Sequence, residues 1–323
     1  MSLLRLDWSA ADMHAPGYVD LQVNGYVGVD FSDSELTEEA AVHACRALVS
    51  AGTVAFLPTI ITSSVEVYAR NLPLLAKLMA RKEFENRLLG FHIEGPFISA
   101  QPGAVGAHRA DLVRAPDPEL LRQMIAWSEG RIRLLTLAAE LPGADELARE
   151  AVRQGITVSI GHSLADEADL SRLAEAGATA LTHLGNGLPN MLPRHPNYIW
   201  AALANDALTA MIIADGHHLP ATVIKTFLRV KGIENTVVVS DASPIAGLPP
   251  GRYTTLGNEA ILEESGRLHN PVKQCLVGSS ATMQQCMRFL AGSGLASGEE
   301  LLHLGFYNPL RMIGVDPAVI AFG

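Results

Sequence analysis

The stretch Thr157–Leu184 reads TVSIGHSLADEADLSRLAEAGATALTHL and contains one complete structural unit. A short apolar and β-branched run, Thr157–Ile160, ends in the polar cluster Gly161-His162-Ser163. Asp166–Ala176 follows with helical character and is closed by Gly177, where a helix C-terminus favours glycine. A second apolar run, Ala180–Thr182, then ends in His183. Both runs are continuous rather than alternating, as in parallel strands covered on both faces. The same scheme recurs on either side, in the runs Gly17–Gln22, Thr53–Leu57, Leu88–Ile93, Ile132–Ala138, Thr209–Ile213 and Val237–Ser240. Helical stretches separate them. Thr37 is placed as an N-cap ahead of Glu38 and Glu39, with Ala41, Cys45, Leu48 and Val49 on one face and Gly52 closing the unit. Asp145–Gln154 followed by Gly155 repeats the pattern. Eight strand-then-helix units predict an α/β fold, a (β/α)8 TIM barrel. A doubly wound open sheet is the competitor, but the Gly-rich phosphate turn that usually follows its first strand is absent.

Composition narrows the function. The 323 residues are 48% hydrophobic and 18% charged, enough to bury a substantial core and to exclude wholesale disorder. A formal charge of −10 argues against nucleic acid or a polybasic membrane contact. It leaves room for a small anionic substrate. The three cysteines, Cys45, Cys275 and Cys286, form no C-x-x-C pair, so neither a disulfide framework nor a cysteine zinc site is expected. No secretory leader or membrane span is expected, and the cytoplasm is the default.

The unusual polar residues cluster immediately after the predicted strands, the end of a barrel where active sites are built. They are Gln22-Val23-Asn24-Gly25, His92-Ile93-Glu94-Gly95-Pro96, Glu140, Gly161-His162-Ser163, Thr182-His183-Leu184 with Asn186, Asp215-Gly216-His217-His218, and Ser240-Asp241-Ala242. Strand alternation points His92 and Glu94 the same way. Glu94 then meets His162 and His183 from neighbouring strands. One carboxylate with two imidazoles is a catalytic-type zinc set with an open position. A metal there acidifies water, and Asp241 is the natural carboxylate to take the proton. Each residue alone has a bland reading: a histidine at a strand end is usually structural, and an aspartate after a strand is commonly the cap of the next helix. Four titratable groups on four strand ends of one face form a pattern that these readings do not explain together.

The same residues resemble those of N-acetylglucosamine-6-phosphate deacetylases, a family of the amidohydrolase superfamily. The matching segments run from Pro16-Gly-Tyr-Val-Asp-Leu-Gln-Val-Asn-Gly25 through His92–Pro96, Gly106-Ala-His108, Gly161–Ser163, Thr182–Leu184, Asn186, Ala214–His218 and Ser240–Ala242 to Gly278-Ser-Ser280, in order and over nearly the whole chain. The resemblance implies that Glu94, His162 and His183 hold one divalent metal ion, zinc or iron. Gln22 and Asn24 replace a His-x-His pair common among amidohydrolases, which favours one metal over two. Asp241 is implied as general base and proton donor to the leaving amine. His108 is implied as the donor that stabilises the tetrahedral oxyanion. Asn186, the backbone of Gly187, Arg194 and His218 are implied around the substrate phosphate, with Arg194 carried across from a second copy in a homodimer.

Two departures stand out. Asn186 is followed by Gly187 and Leu188 where the family has Ala-Met, which bears on the sugar. The family's accessory β-sandwich is expected to be absent or vestigial, leaving residues 1–15 as an N-terminal extension and 16–323 as one barrel domain. The reading is therefore a deacetylase of an N-acetyl amino-sugar 6-phosphate, N-acetylglucosamine 6-phosphate first. The alternative is N-acetylgalactosamine 6-phosphate or another N-acyl amine. A non-enzymatic sugar-phosphate sensor requires a degraded site, and Glu94, His162, His183 and Asp241 are all present.

Overall fold

A computed structural model describes residues 4–8, 11–15, 17–273 and 275–320. Eight parallel strands follow one another around a single sheet: β1 (Tyr18–Val23), β2 (Thr53–Ile61), β3 (Phe91–Glu94), β4 (Ile132–Leu137), β5 (Thr157–Ile160), β6 (Ala178–Leu181), β7 (Thr209–Ile213) and β8 (Thr236–Val239). Strands β8 and β1 meet at their C-terminal ends. Val23 and Ala242 form a parallel bridge, and the Asn24 N–H donates to the Ala242 carbonyl at 2.9 Å. Just below, the buried Asp20 carboxylate of β1 accepts from the Ser240 N–H at 3.1 Å and from the Ser240 hydroxyl. This closure distinguishes the barrel from an open doubly wound sheet.

The helices outside include α1 (Glu38–Ser50), α2 (Val65–Met79), α3 (Pro118–Trp127), α4 (Ala144–Arg153), α5 (Glu167–Glu175), α6 (Tyr198–Ala204), α7 (Ala221–Lys231) and α8 (Met283–Gly292), and shorter helical segments follow within residues 298–320. Their starts follow local chemistry. The Ala40 N–H donates to the Thr37 hydroxyl at 3.2 Å, and Asp166 forms a reciprocal capping box with Asp169 at the start of α5.

Strand alternation divides the core in two. Phe56, Ile212 and Val238 pack outward in the large cluster shared with the helices. Their neighbours Ala55, Leu57, Met211, Ile213, Val237 and Val239 join Val19, Leu21 and Leu134 in a second cluster, against which Phe306, Leu310 and Ile313 pack. A polar layer also occupies the interior. His92 Nε2 lies 2.7 Å from the Thr136 hydroxyl, which is 2.7 Å from that of Thr182, itself 2.6 Å from Ser159. His92 is thus a buried structural histidine.

Among the described residues, β structure outside the barrel comprises three pieces. Leu4–Trp8 pairs antiparallel with Ala11–Ala15, and Gly25–Tyr26 pairs with Val29–Asp30. The third is a four-stranded antiparallel sheet between β8 and α8: β9 (Gly251–Thr255), β10 (Asn258–Leu262), β11 (Leu268–Asn270) and β12 (Cys275–Leu276). The sequence reading did not anticipate this sheet. No described helix is long and apolar enough to cross a membrane.

Candidate active site

The rim of the barrel brings the predicted side chains together. Glu94 is the last residue of β3, while His162 and His183 each lie two residues beyond a strand. His162, His183 and Asp241 have φ of 48°, 30° and 50°. Non-glycine residues in this left-handed region carry strain of about 1–3 kcal/mol each, and such strain concentrates at functional sites.

Glu94 Oε1 lies 3.2 Å from His162 Nε2 and 3.0 Å from His183 Nε2, and the two nitrogens are 3.0 Å apart. Three potential ligand atoms so close in a buried site can hold a cation between them. Tetrahedral coordination with bonds of about 2.0–2.1 Å places ligand atoms roughly 3.3 Å apart, so the triangle fits one metal ion. His162 Nδ1–H donates to the Ala104 carbonyl at 2.7 Å, which leaves the Nε2 lone pair facing the site. Burial alone would raise the Glu94 pKa, but His162 and His183 hold it well below the usual carboxylate range.

Asp241 sits beside this triangle. Its Oδ1 accepts from Gln22 Nε2 at 3.1 Å and from Asn24 Nδ2 at 2.7 Å, and the same Gln22 nitrogen donates to Glu94 Oε1 at 3.0 Å. Both amides therefore present N–H groups, not lone pairs, toward the carboxylates. Their own carbonyl oxygens are buried without a partner. Burial and the Glu94 charge push Asp241 up to about 6.

His108 comes from the loop after β3. Its Nδ1 accepts from the Thr62 hydroxyl at 2.9 Å and from the Thr62 N–H at 3.4 Å. Those donors assign the ring proton to Nε2, which lies 3.2 Å from His162 Nε2 and 3.9 Å from Glu94 Oε2. Burial, with His162 adding to it, lowers the His108 pKa to about 3, so the ring is neutral.

A cavity of about 330 Å³ opens over these groups and is also lined by Asn186, Gly187 and His218. Asn186 Nδ2 is buried without a hydrogen-bond partner. His218 Nδ1–H donates to Asp215 Oδ2 at 2.8 Å. Burial opposes the Asp215 charge, but His218 and two backbone N–H donors hold its pKa down to about 2. Gly187 passes over the His162 and His183 imidazoles at φ 63°. A Cβ there would lie 2.9 Å from His162 Nδ1 and 3.2 Å from His183 Cε1.

Arg194 is the exception among the expected residues. It is exposed on the segment between β6 and α6 and does not line this cavity within one chain. Sequence reasoning missed Thr62, which fixes the His108 tautomer, and the role of Asp215 in orienting His218. The i, i+3 spacing of Asp215 and His218 was a usable signal for the second. Nothing local announced the first, nor the contribution of Leu256, Cys275 and Leu276 from the inserted sheet to the wall.

No family model matches the chain, but individual known proteins do. N-acetylglucosamine-6-phosphate deacetylase of Bos taurus is 34% identical over 314 residues, covering 94% of this chain and 75% of the relative. N-acetylgalactosamine-6-phosphate deacetylase of Escherichia coli O157:H7 is 31% identical over 309 residues, 95% of this chain and 79% of the relative. Among solved structures, N-acetyl-D-glucosamine-6-phosphate deacetylase of Mycobacterium smegmatis superposes with a TM-score of 0.85 at 28% identity, covering 95% of this chain and 80% of that one.

Proposed function

Because the chain belongs to the N-acetylglucosamine-6-phosphate deacetylase family, we propose that it hydrolyses the amide of an N-acetyl amino-sugar 6-phosphate, with N-acetylglucosamine 6-phosphate giving glucosamine 6-phosphate and acetate. One observation carries the reading: the Glu94, His162 and His183 triangle shares a buried rim with an Asp241 carboxylate fixed by two amides.

A divalent ion, zinc or iron, held by Glu94, His162 and His183 would supply Lewis acidity toward the amide carbonyl and the attacking water. Asp241, with its rotation set by Gln22 and Asn24, accepts the proton of that water. It then delivers the proton to the departing sugar nitrogen. His108 Nε2–H donates to the acetyl oxygen as negative charge builds on it, with Thr62 holding the tautomer. The phosphate lies toward β6 and β7. There the partnerless Asn186 amide, the Gly187 N–H and the oriented His218 ring offer donors.

Arg194 reaches the phosphate of a second copy in a homodimer. This is supported by the exposed apolar side chains of Met191 on the same segment and Trp200 in the first turn of α6, 87% and 54% accessible. Residues 16–323 act as one catalytic unit, with 1–15 as an extension. The enzyme is cytoplasmic; its free thiols Cys45, Cys275 and Cys286 suit a reducing compartment.

The test is acetate release from a panel of N-acetylhexosamines, with and without the 6-phosphate, by metal-loaded protein. The reading requires turnover of N-acetylglucosamine 6-phosphate and a strong loss without the phosphate. Faster turnover of the galacto epimer would change the sugar, and no turnover of any member with metal confirmed present would remove the reading.

A further inference from the structure

The wall of the active-site cavity opposite the phosphate end has a feature that the chemistry above does not use. The hairpin turn between β9 and β10 carries Leu256 at φ 51° and Gly257 at φ 70°. Glycine and asparagine suit this left-handed pair; a leucine there is strained. The leucine is nonetheless 8% exposed and packs with Ile61 and Val277 in a small apolar cluster of its own, which Ala107 adjoins. Asn258 anchors the turn. Its Nδ2 donates to the Ala107 carbonyl and to the Leu256 carbonyl, each at 2.8 Å. The hairpin is thereby tied to the loop that carries His108.

Leu256 and Ile61 line two spaces at once. One is the cavity of about 330 Å³ over the metal ligands. The other is a neighbouring space of about 610 Å³ that also borders Ser63 and Leu112. The two side chains are the partition between them. Their place on the rim decides what they meet. Ile61 ends β2 and Asn186 follows β6, four strands apart in an eight-stranded barrel and therefore on opposite sides. The His108 ring is held by Thr62, immediately after Ile61. A substrate with its phosphate at β6–β7 and its carbonyl oxygen at His108 places its acyl tail against Leu256 and Ile61.

From this juxtaposition we propose that Leu256, held in a strained turn by Asn258, is the residue that limits the acyl group to acetyl, by closing the active-site cavity off from the larger space behind it. The inference rests on the deacetylase reading. Its test compares N-acetyl-, N-propionyl- and N-butyryl-glucosamine 6-phosphate as substrates for metal-loaded wild type, Leu256→Ala and Leu256→Gly, with amine product as readout. Leu256→Gly also relieves the positive φ, so a folding failure of the alanine variant does not remove the test.

Wild type is expected to lose on the order of 10-fold or more in kcat/KM per added methylene, the range over which a filled pocket discriminates. Both variants are expected to narrow the acetyl-to-butyryl ratio by roughly 10-fold or more through gain on the longer chains. If wild type turns over the N-acetyl substrate but the ratio is unchanged in folded variants, the partition does not set acyl length and the inference falls alone. If wild type turns over no N-acyl substrate, the deacetylase reading falls and this inference with it.

Discussion

Asp241 illustrates how much of the site depends on neutral neighbours. Gln22 and Asn24 fix the rotation of its carboxylate without adding charge; burial and Glu94 raise its affinity for a proton, and His183, His218 and the Asn24 hydrogen bond oppose them. Asp241→Asn keeps the shape and removes the base. The expected result is a fall in kcat of about 10²–10⁴-fold with metal content unchanged by elemental analysis; retained rate would remove the base assignment. The sign of the pH dependence follows. The base acts as the carboxylate and its pKa is pushed up to about 6, so kcat/KM should rise with pH and level off above that value. A divalent cation in the site favours the carboxylate, which moves the rising limb to 6 or below. A rising limb above pH 7 in the pH–rate profile would contradict this. Asp20 gives a separate titration, in stability. Burial raises its pKa to about 7 despite the Ser240 and Gln22 donors, so folding favours the protonated form. Its contribution is complete below the ordinary carboxylate range and is lost as pH climbs through 7, a change on the order of a few kcal/mol. Melting temperatures of wild type and Asp20→Asn from pH 4 to 8 should show the wild type losing ground to the variant as pH rises.

The elements differ in how plainly the chain announces them. The barrel strands read as mainly apolar runs because helices cover one face and the barrel interior the other, and a run needs no partner to be recognised, even where a polar residue such as Asp20 or His92 interrupts it. The inserted sheet is the opposite case. Gly251–Thr255 and Asn258–Leu262 alternate less exposed with more exposed residues over only five positions. Such short segments, broken by Gly257 and Gly266, look like loop until the antiparallel pairing is seen. The segment after β6 was legible as a polar cluster, but its closeness to the imidazoles was not. Gly187 illustrates the point. Alanine there meets His162 at 2.9 Å from backbone held at φ 63°. Strain and overpacking together should destabilise the protein by roughly 1–3 kcal/mol. If the displaced imidazole is a metal ligand as proposed, Gly187→Ala should also retain less zinc after dialysis than wild type. Equal metal content and melting temperature would show that the loop simply moves aside.

At the scale of the whole molecule, the site is assembled from positions as far apart as Gln22 and Asp241, and no local element holds more than a fragment of it. The chain could show that polar residues follow the strands, and the barrel rule then placed them on one face. It could not show that the Gln22 amide bridges Glu94 and Asp241 while Asn24 also holds Asp241, or that Thr62 sets a tautomer, because those contacts depend on side-chain geometry across the closed barrel. A metal ion bound at the proposed site would therefore be a staple for the fold. Glu94, His162 and His183 end β3 or follow β5 and β6, so an ion shared by them ties together three parts of the barrel that unfolding separates. A ligand bound only by the native state stabilises it by RT ln(1 + [L]/Kd), about 2.7 kcal/mol at a hundredfold excess over Kd. For a chain of this length that corresponds to roughly 3–8 °C in melting temperature. Chelation should therefore lower the melting temperature by several degrees as well as abolish turnover, and one equivalent of zinc should restore both. Glu94→Gln breaks the triangle, so its melting temperature should not respond to zinc or to chelator. A chelator effect of equal size in that variant would place the stabilising ion elsewhere.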